Sequence, residues 1–149
     1  MKKITFIIAF TLSLIAGINM CFAHSDNISA NDALEKLIEG NERFVQLHLK
    51  HPDSSEKRRQ EMLKGQHPFV VILSCSDSRV PPELIFDQGL GDIFEIRNAG
   101  NVLDEHVIGS IEYAVMHLGV KLIVIMGHQD CGAIAATLSG ESDTKYIKS

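Results

Sequence analysis

Apolar residues recur at helical spacing in the first part of the chain. From Asp32 to Val45 they return every three or four positions, which predicts an amphipathic helix capped by Ser29 or Asn31. The polar, charged stretch that follows predicts a loop and a short helix that starts near Ser54 or Ser55. The apolar positions of the first helix are Leu34, Leu37, Ile38, Phe44 and Val45.

The second part of the chain alternates continuous apolar runs with helical patterns. The segments "FVVILSC", "IFEIRN" and "KLIVIM" predict three strands, and the first is rich enough in β-branched residues to be covered on both faces. A helix is predicted from about Asp104 to Leu118, with Gly119 as its stop. Strand, helix and strand in this order predict an α/β fold with a parallel sheet flanked by helices, preceded by an N-terminal helical arm.

Length and composition are those of a single globular domain. The chain has 149 residues, of which 45% are hydrophobic and 22% charged, so a packed core is expected and wholesale disorder is not. The formal net charge of −5 at pH 7 disfavours nucleic acid and anionic membranes as partners.

Residues 1–23 have the pattern of a secretory signal, in which "MKK" precedes an apolar run that ends at "CFA". The run is shorter than the ~20 residues of a spanning helix, which argues against a stable membrane anchor. A lipoprotein signal through Cys21 is weaker, because Met20 stands where a small residue is expected. We therefore expect export with cleavage after Ala23, to the periplasm of a Gram-negative bacterium or otherwise to the medium. Residues 24–65 would form the helical arm, and residues 66–149 the α/β domain.

Two predicted strands end in residues with metal-binding chemistry. Cys75 and Asp77 follow the first strand, and His128 and Cys131 follow the third. Ligands of parallel sheets gather at the carboxyl ends of the strands, so these side chains converge if the two strands are neighbours. Two thiolates, an imidazole and a carboxylate form a tetrahedral zinc set. A disulfide is the alternative, because Cys75 and Cys131 are the two cysteines left in an exported chain.

The position of Arg79, two residues after Asp77, favours a catalytic zinc site over a merely structural one. A structural zinc has four protein ligands, whereas a catalytic zinc keeps a position open for water. If Asp77 pairs with Arg79 it leaves the metal, and if the pair breaks Asp77 can close the site. The alternative is a local ion pair without such a role.

These motifs together resemble those of the β-class carbonic anhydrases. The resemblance rests on "CSDSRVPPELIFDQGLGDIFEIRNAGN", "GSIEYAV" and "GHQDCGA", and runs from about Gly65 to Ala135. It implies reversible hydration of carbon dioxide to bicarbonate and a proton, with one Zn²⁺ per chain bound by Cys75, His128 and Cys131. Asp77 would ligate the metal in a closed state and pair with Arg79 in an open one.

The resemblance also assigns the substrate pocket. Gln66 matches a glutamine that orients substrate in the always-open members, and Phe94 matches an apolar pocket wall. Both would serve the pocket of a neighbouring subunit in a homodimer or larger homo-oligomer. Apart from the resemblance, either Gln66 or the backbone N–H of Gly132, at a helix N-terminus, could be the donor that stabilises the developing carboxylate.

Members of the family generally continue well beyond the H-x-x-C helix, whereas this sequence stops 18 residues after Cys131. On that pattern the α/β domain is incomplete at its C-terminus. A non-catalytic zinc-binding relic or interaction protein, inactivated by this truncation, is therefore one alternative to the enzyme. Two others stay open for separate reasons: a metal-free disulfide-linked domain, and a related enzyme acting on a sulfur analogue of carbon dioxide.

Overall fold

A three-stranded parallel sheet forms the centre of the computed structural model, which describes residues 28–140 and 145. Its strands are β1 (Val70–Cys75), β2 (Ile93–Asn98) and β3 (Ile123–Met126), in the order β2-β1-β3. All pairings are parallel, so the α/β fold predicted from the alternating pattern is confirmed. The second predicted strand is found as expected, and the other two are slightly shorter than predicted.

Central strand β1 carries the core on both of its faces. All six of its residues are buried, as its continuous apolar run predicts. One face packs Val70 and Ile72 against helix residues Ala33 and Leu37. The opposite face packs Val71 against Ala114, with Phe94 from β2 at the margin. Because β1 is paired on both sides, its carboxyl end is held firmly where Cys75 ends the strand.

The described residues include five helices, and three of them begin at or beside the start that the sequence predicts. Ser29, Ser55 and Asp104 each accept a hydrogen bond from the backbone of the first turn. Gly119 ends the fourth helix in the left-handed conformation, as predicted. The helices are α1 (Ala30–Val45), α2 (Glu56–Met62), α3 (Pro82–Ile85), α4 (Glu105–Leu118) and α5 (Gly132–Ser139).

Helix α1 packs on the sheet of its own chain. Its end is anchored by Arg43, which donates to the buried carboxylate of Asp87. Backbone N–H groups of Lys50 and His51 donate to the same carboxylate, so that the charge is fully satisfied. Leu34 and Ile38 on the outer face of α1 are exposed. The division into a helical arm of residues 24–65 and an α/β domain of residues 66–149 stays a prediction.

Gly40 marks the closest approach between α1 and the loop after α3. A Cβ atom at this position would overlap the backbone carbonyl of Phe86. We expect Gly40→Ala to lower the free energy of unfolding by about 2 kcal/mol, because the helix must move away from Phe86. Gly109→Ala is the matched control, since a Cβ there meets no other atom within 4 Å and alanine favours helix by about 1 kcal/mol. Chemical denaturation of both variants measures the difference, and equal stability would contradict this packing.

The predicted signal segment, residues 1–23, lies outside the described residues. Within the part of the chain that is described, no helix combines the length and the apolar character required to cross a bilayer.

Candidate metal centre

The neighbouring strands β1 and β3 bring both predicted ligand motifs to one edge of the sheet. Cys75 is the last residue of β1, His128 follows β3 by two residues, and Cys131 is the N-cap of α5. Their ligand atoms all lie within 4.8 Å of one another. The convergence predicted from the two strand ends is therefore confirmed.

The two cysteines are free thiols and not a disulfide. Their Sγ atoms lie 3.8 Å apart, well beyond the ~2.05 Å of an S–S bond. Two sulfurs at ~2.3 Å from one tetrahedral ion are themselves separated by roughly 3.8 Å. This spacing fits a pair of thiolates that share a metal ion.

His128 is oriented for a metal through its Nε2 atom. Its Nδ1 atom lies 3.0 Å from the carbonyl of Gln129 and, as the protonated nitrogen, donates to it. Nε2 is buried and has no hydrogen-bond partner among the described residues. Contact with Cys75 raises the pKa of His128. A histidine whose Nδ1 is held by a backbone carbonyl, and whose buried Nε2 lies beside two thiols, has the arrangement of a zinc ligand.

Cys75 ionises more readily than its burial alone would allow. Burial opposes the loss of its proton, but a hydrogen bond from the Gly100 N–H, 3.3 Å from Sγ, and contact with His128 favour the thiolate. The result lowers the pKa of Cys75 from 9.0 to about 7. The thiolate is the form that binds a metal ion.

This shift predicts a pH dependence for the metal-free chain. Between about pH 7 and pH 9.0 the folded state holds a Cys75 thiolate while the unfolded chain holds a thiol. The Cys75 thiolate thus stabilises the folded state fully above pH 9.0, the pKa of this thiol in the unfolded chain. This stabilisation is lost as the pH falls through about 7. We expect ultraviolet thiolate absorbance of the chelator-treated chain to show a transition near pH 7 that Cys75→Ser removes. A parental transition confined to the pH range of ordinary thiols would contradict it.

Asp77 and Arg79 form a two-pronged ion pair beside the ligand set. The Arg79 Nε and Nη2 atoms lie 2.9 Å and 2.7 Å from the two carboxylate oxygens. Arg79 holds the pKa of Asp77 well below its usual range. Nη2 also donates to the carbonyl of Asp130, which connects this pair to the loop between His128 and Cys131. Asp77 Oδ2 lies 3.8 Å from His128 Nε2, so the carboxylate stays close to the ligands while paired with Arg79.

The two predicted pocket residues lie away from the centre of their own chain. Gln66 is exposed before β1. Phe94 faces Val71 in the strand register, four positions before the Cys75–Asn98 pair, and so about 13 Å from the ligands along the sheet. The Tyr113 ring is tilted by 41° against that of Phe94, with ring centroids 6.1 Å apart, and the sequence pattern did not point to this neighbour. Gly132 is the first residue of α5, directly after Cys131.

Two further residues contact the centre from β2 and the loop that follows it. Arg97 donates to the backbone carbonyls of Cys75 and Asp77, and the Gly100 N–H donates to the Cys75 sulfur. Both lie in "RNAGN", a segment that the sequence analysis noted without assigning roles within it. Only the pairing of β1 with β2 brings them to the metal ligands.

Comparison with known proteins identifies relatives over most of the chain. Residues 70–149 match a family model described as carbonic anhydrase. The chain is 53% identical over 111 residues to "Carbonic anhydrase 2" of Mycobacterium tuberculosis, a match that covers 74% of this chain and 54% of that protein. The chain thus spans about half the length of the curated relatives it matches.

Solved structures show the same fold. The β-carbonic anhydrase CafA of Aspergillus fumigatus is 37% identical with a TM-score of 0.56, covering 78% of this chain and 54% of that one. A structure from a study of two tetrameric β-carbonic anhydrases of Sordaria macrospora is 30% identical with a TM-score of 0.58, covering 78% and 59%.

Proposed function

Because this chain belongs to the β-class carbonic anhydrase family, we propose that it binds one zinc ion through Cys75, His128 and Cys131 and catalyses the reversible hydration of carbon dioxide. The observation that carries the proposal is the convergence of Cys75, His128 and Cys131, whose ligand atoms lie within 4.8 Å of one another while both thiols are free. Zinc held there would lower the pKa of a water molecule, the effect for which carbonic anhydrase is the usual example.

Asp77 and Arg79 would control access to this centre. Arg79 holds both carboxylate oxygens of Asp77. In this arrangement Asp77 would not serve as a fourth ligand to a bound metal, and that place would be left to water. Asp77 would then accept a hydrogen bond from the attacking hydroxide. This hydrogen bond would keep the lone pair of the hydroxide oxygen directed at the carbon of carbon dioxide. If the pair with Arg79 broke, the same carboxylate could close the site, since it lies 3.8 Å from His128.

Backbone and side-chain donors would stabilise the carboxylate that forms. The Gly132 N–H stands at the N-terminus of α5, where the helix leaves its first N–H groups without helical partners. Gln66 would be a second donor and Phe94 an apolar wall, both supplied by another subunit because they lie away from the centre of their own chain. The Sordaria relatives described as tetrameric support a homodimer or larger homo-oligomer here. Sedimentation analysis tests this, and a monomer with full activity would overturn it.

One sample tests the enzymatic proposal. Zinc content is measured on the purified chain, and carbon dioxide hydration is followed by stopped-flow across pH. We expect about one zinc per chain and turnover that chelation abolishes and added zinc restores. Bound zinc without turnover would instead support a non-catalytic zinc-binding protein, and absence of zinc would overturn both.

Export completes the proposed function. The signal-like pattern of residues 1–23 supports cleavage after Ala23 and a periplasmic or secreted location. Expression in a Gram-negative host, followed by intact mass measurement of the periplasmic fraction, tests it. An uncut chain in the cytoplasm would overturn the proposal.

A further inference from the structure

Arg97 of β2 reaches across to the backbone that carries the metal ligands. Its Nε atom donates to the Cys75 carbonyl at 2.9 Å, and Nη2 donates to the Asp77 carbonyl at 2.6 Å. A single planar guanidinium therefore fixes both carbonyls that flank Ser76. The segment from Cys75 to Asp77 is thereby held to a second strand just where it leaves the sheet.

The residues after Arg97 hold the same segment by other contacts. The Ser76 N–H donates to the Asn98 carbonyl at 2.9 Å, and the Gly100 N–H donates to the Cys75 sulfur. Asn98 makes the turn rigid, because its side chain exchanges hydrogen bonds of 2.7 Å and 2.8 Å with the backbone of Val102. Residues 97–102 form a rigid support for the metal-binding segment.

Arg97 depends on these carbonyls more than on its carboxylate neighbour. Glu95 lies 3.5 Å away, but burial and the nearby Glu83 raise the pKa of Glu95 to about 7. Near neutral pH this carboxyl group is therefore only partly ionised. The carbonyls of Cys75 and Asp77 are the partners of Arg97 in either protonation state of Glu95.

We propose that Arg97 is a positioning residue for the metal centre, which fixes the backbone from Cys75 to Asp77 so that thiolate and carboxylate face His128 and Cys131. This inference rests on the proposed zinc site. The guanidinium donates to the carbonyls of Cys75 and Asp77 and not to their side chains, so its effect on the centre would pass through the backbone. Lysine keeps the charge but cannot bond both carbonyls with one rigid fork, so Arg97→Lys is the informative change.

Arg58 provides a matched control elsewhere in the molecule. Its side chain is 21% exposed, against 23% for Arg97. It likewise donates to a backbone carbonyl, that of Leu90 at 2.8 Å, and pairs with a carboxylate, that of Asp92 at 3.3 Å. Arg58→Lys therefore loses the same kind of contacts without touching the ligand segment.

The test compares the parent, Arg97→Lys and Arg58→Lys chains by two measurements that need no turnover. Zinc affinity is determined by competition with a chromophoric chelator, and the ligand field by the visible spectrum of the Co²⁺-loaded chain. We expect Arg97→Lys to weaken zinc binding about 10- to 100-fold and to shift the Co²⁺ bands. Arg58→Lys should lower thermal stability while leaving affinity and spectrum as in the parent.

The outcomes separate this inference from the proposed activity. Parental zinc affinity and Co²⁺ spectrum in Arg97→Lys would overturn the positioning role, as would equal losses of affinity in both variants. If the parent binds zinc without hydrating carbon dioxide, the proposed activity fails while a selective loss of affinity in Arg97→Lys still supports the positioning role. A parent that binds no zinc overturns both.

Discussion

Replacement of His128 by alanine is expected to remove bound zinc and to reduce carbon dioxide hydration toward the uncatalysed rate. The change deletes the Nε2 atom, which has no hydrogen-bond partner among the described residues, while Nδ1 is engaged by the Gln129 carbonyl. If a zinc-binding free energy of about 10–16 kcal/mol is divided among three protein ligands, each contributes about 3–5 kcal/mol, which corresponds to a loss of more than about 100-fold in affinity.

His106→Ala is the control for this variant, since His106 is an exposed histidine in the first turn of α4. It should retain zinc and parental turnover. Added imidazole should partly restore zinc binding to His128→Ala by filling the space of the deleted ring. A His128→Ala chain that keeps stoichiometric zinc and full activity would refute the ligand assignment.

The second large effect is expected from Asp77→Asn. Asparagine is uncharged and has one acceptor oxygen, so it cannot accept hydrogen bonds from both Arg79 nitrogens as the carboxylate does. It also places an N–H₂ donor where the carboxylate would accept a hydrogen bond. We expect turnover to fall by about 100-fold or more while zinc content stays close to that of the parent. Stopped-flow hydration and metal analysis of one preparation measure both quantities.

Zinc retention in this variant distinguishes two roles for Asp77. Retained zinc with lost turnover fits a carboxylate that Arg79 holds off the metal, whereas lost zinc would mean that Asp77 is an obligatory ligand. Asp32→Asn, at an exposed position in the first turn of α1, is the control and should behave as the parent. Parental turnover in Asp77→Asn would refute any part for this residue in catalysis.

Most of the centre follows from local sequence because its ligands stand at strand ends. The apolar run before Cys75 predicts a buried strand, and the run before His128 predicts another, so only their adjacency remained to be found. The ends of the helices also follow from local sequence. Ser29 and Asp104 accept hydrogen bonds from the first turn of their own helices, and Gly119 ends α4 in the left-handed conformation. The convergence of the ligands therefore depended on one tertiary fact, the pairing of β1 with β3.

The rest depended on contacts between strands that sequence spacing does not encode. Arg97 lies 22 residues from the Cys75 carbonyl to which it donates, and Gly100 lies 25 residues from the Cys75 sulfur. Helix α3 was missed because its four residues are too few for a periodic pattern. The roles of Gln66 and Phe94 remain predictions, since both concern a second subunit.

The central position of β1 has a consequence for how the centre exchanges its metal. Because β1 is paired on both sides from Val71 to Ser74, its amides should be among the last to exchange with solvent. Cys75 follows directly on that slow segment and pairs with Asn98 of β2. His128 and Cys131 follow β3, which is paired to β1 alone among the described strands. We therefore expect metal release to proceed by departure of the 127–131 loop from a stationary Cys75. The opening rate of that loop, measured by amide exchange, should then match the rate at which zinc is lost.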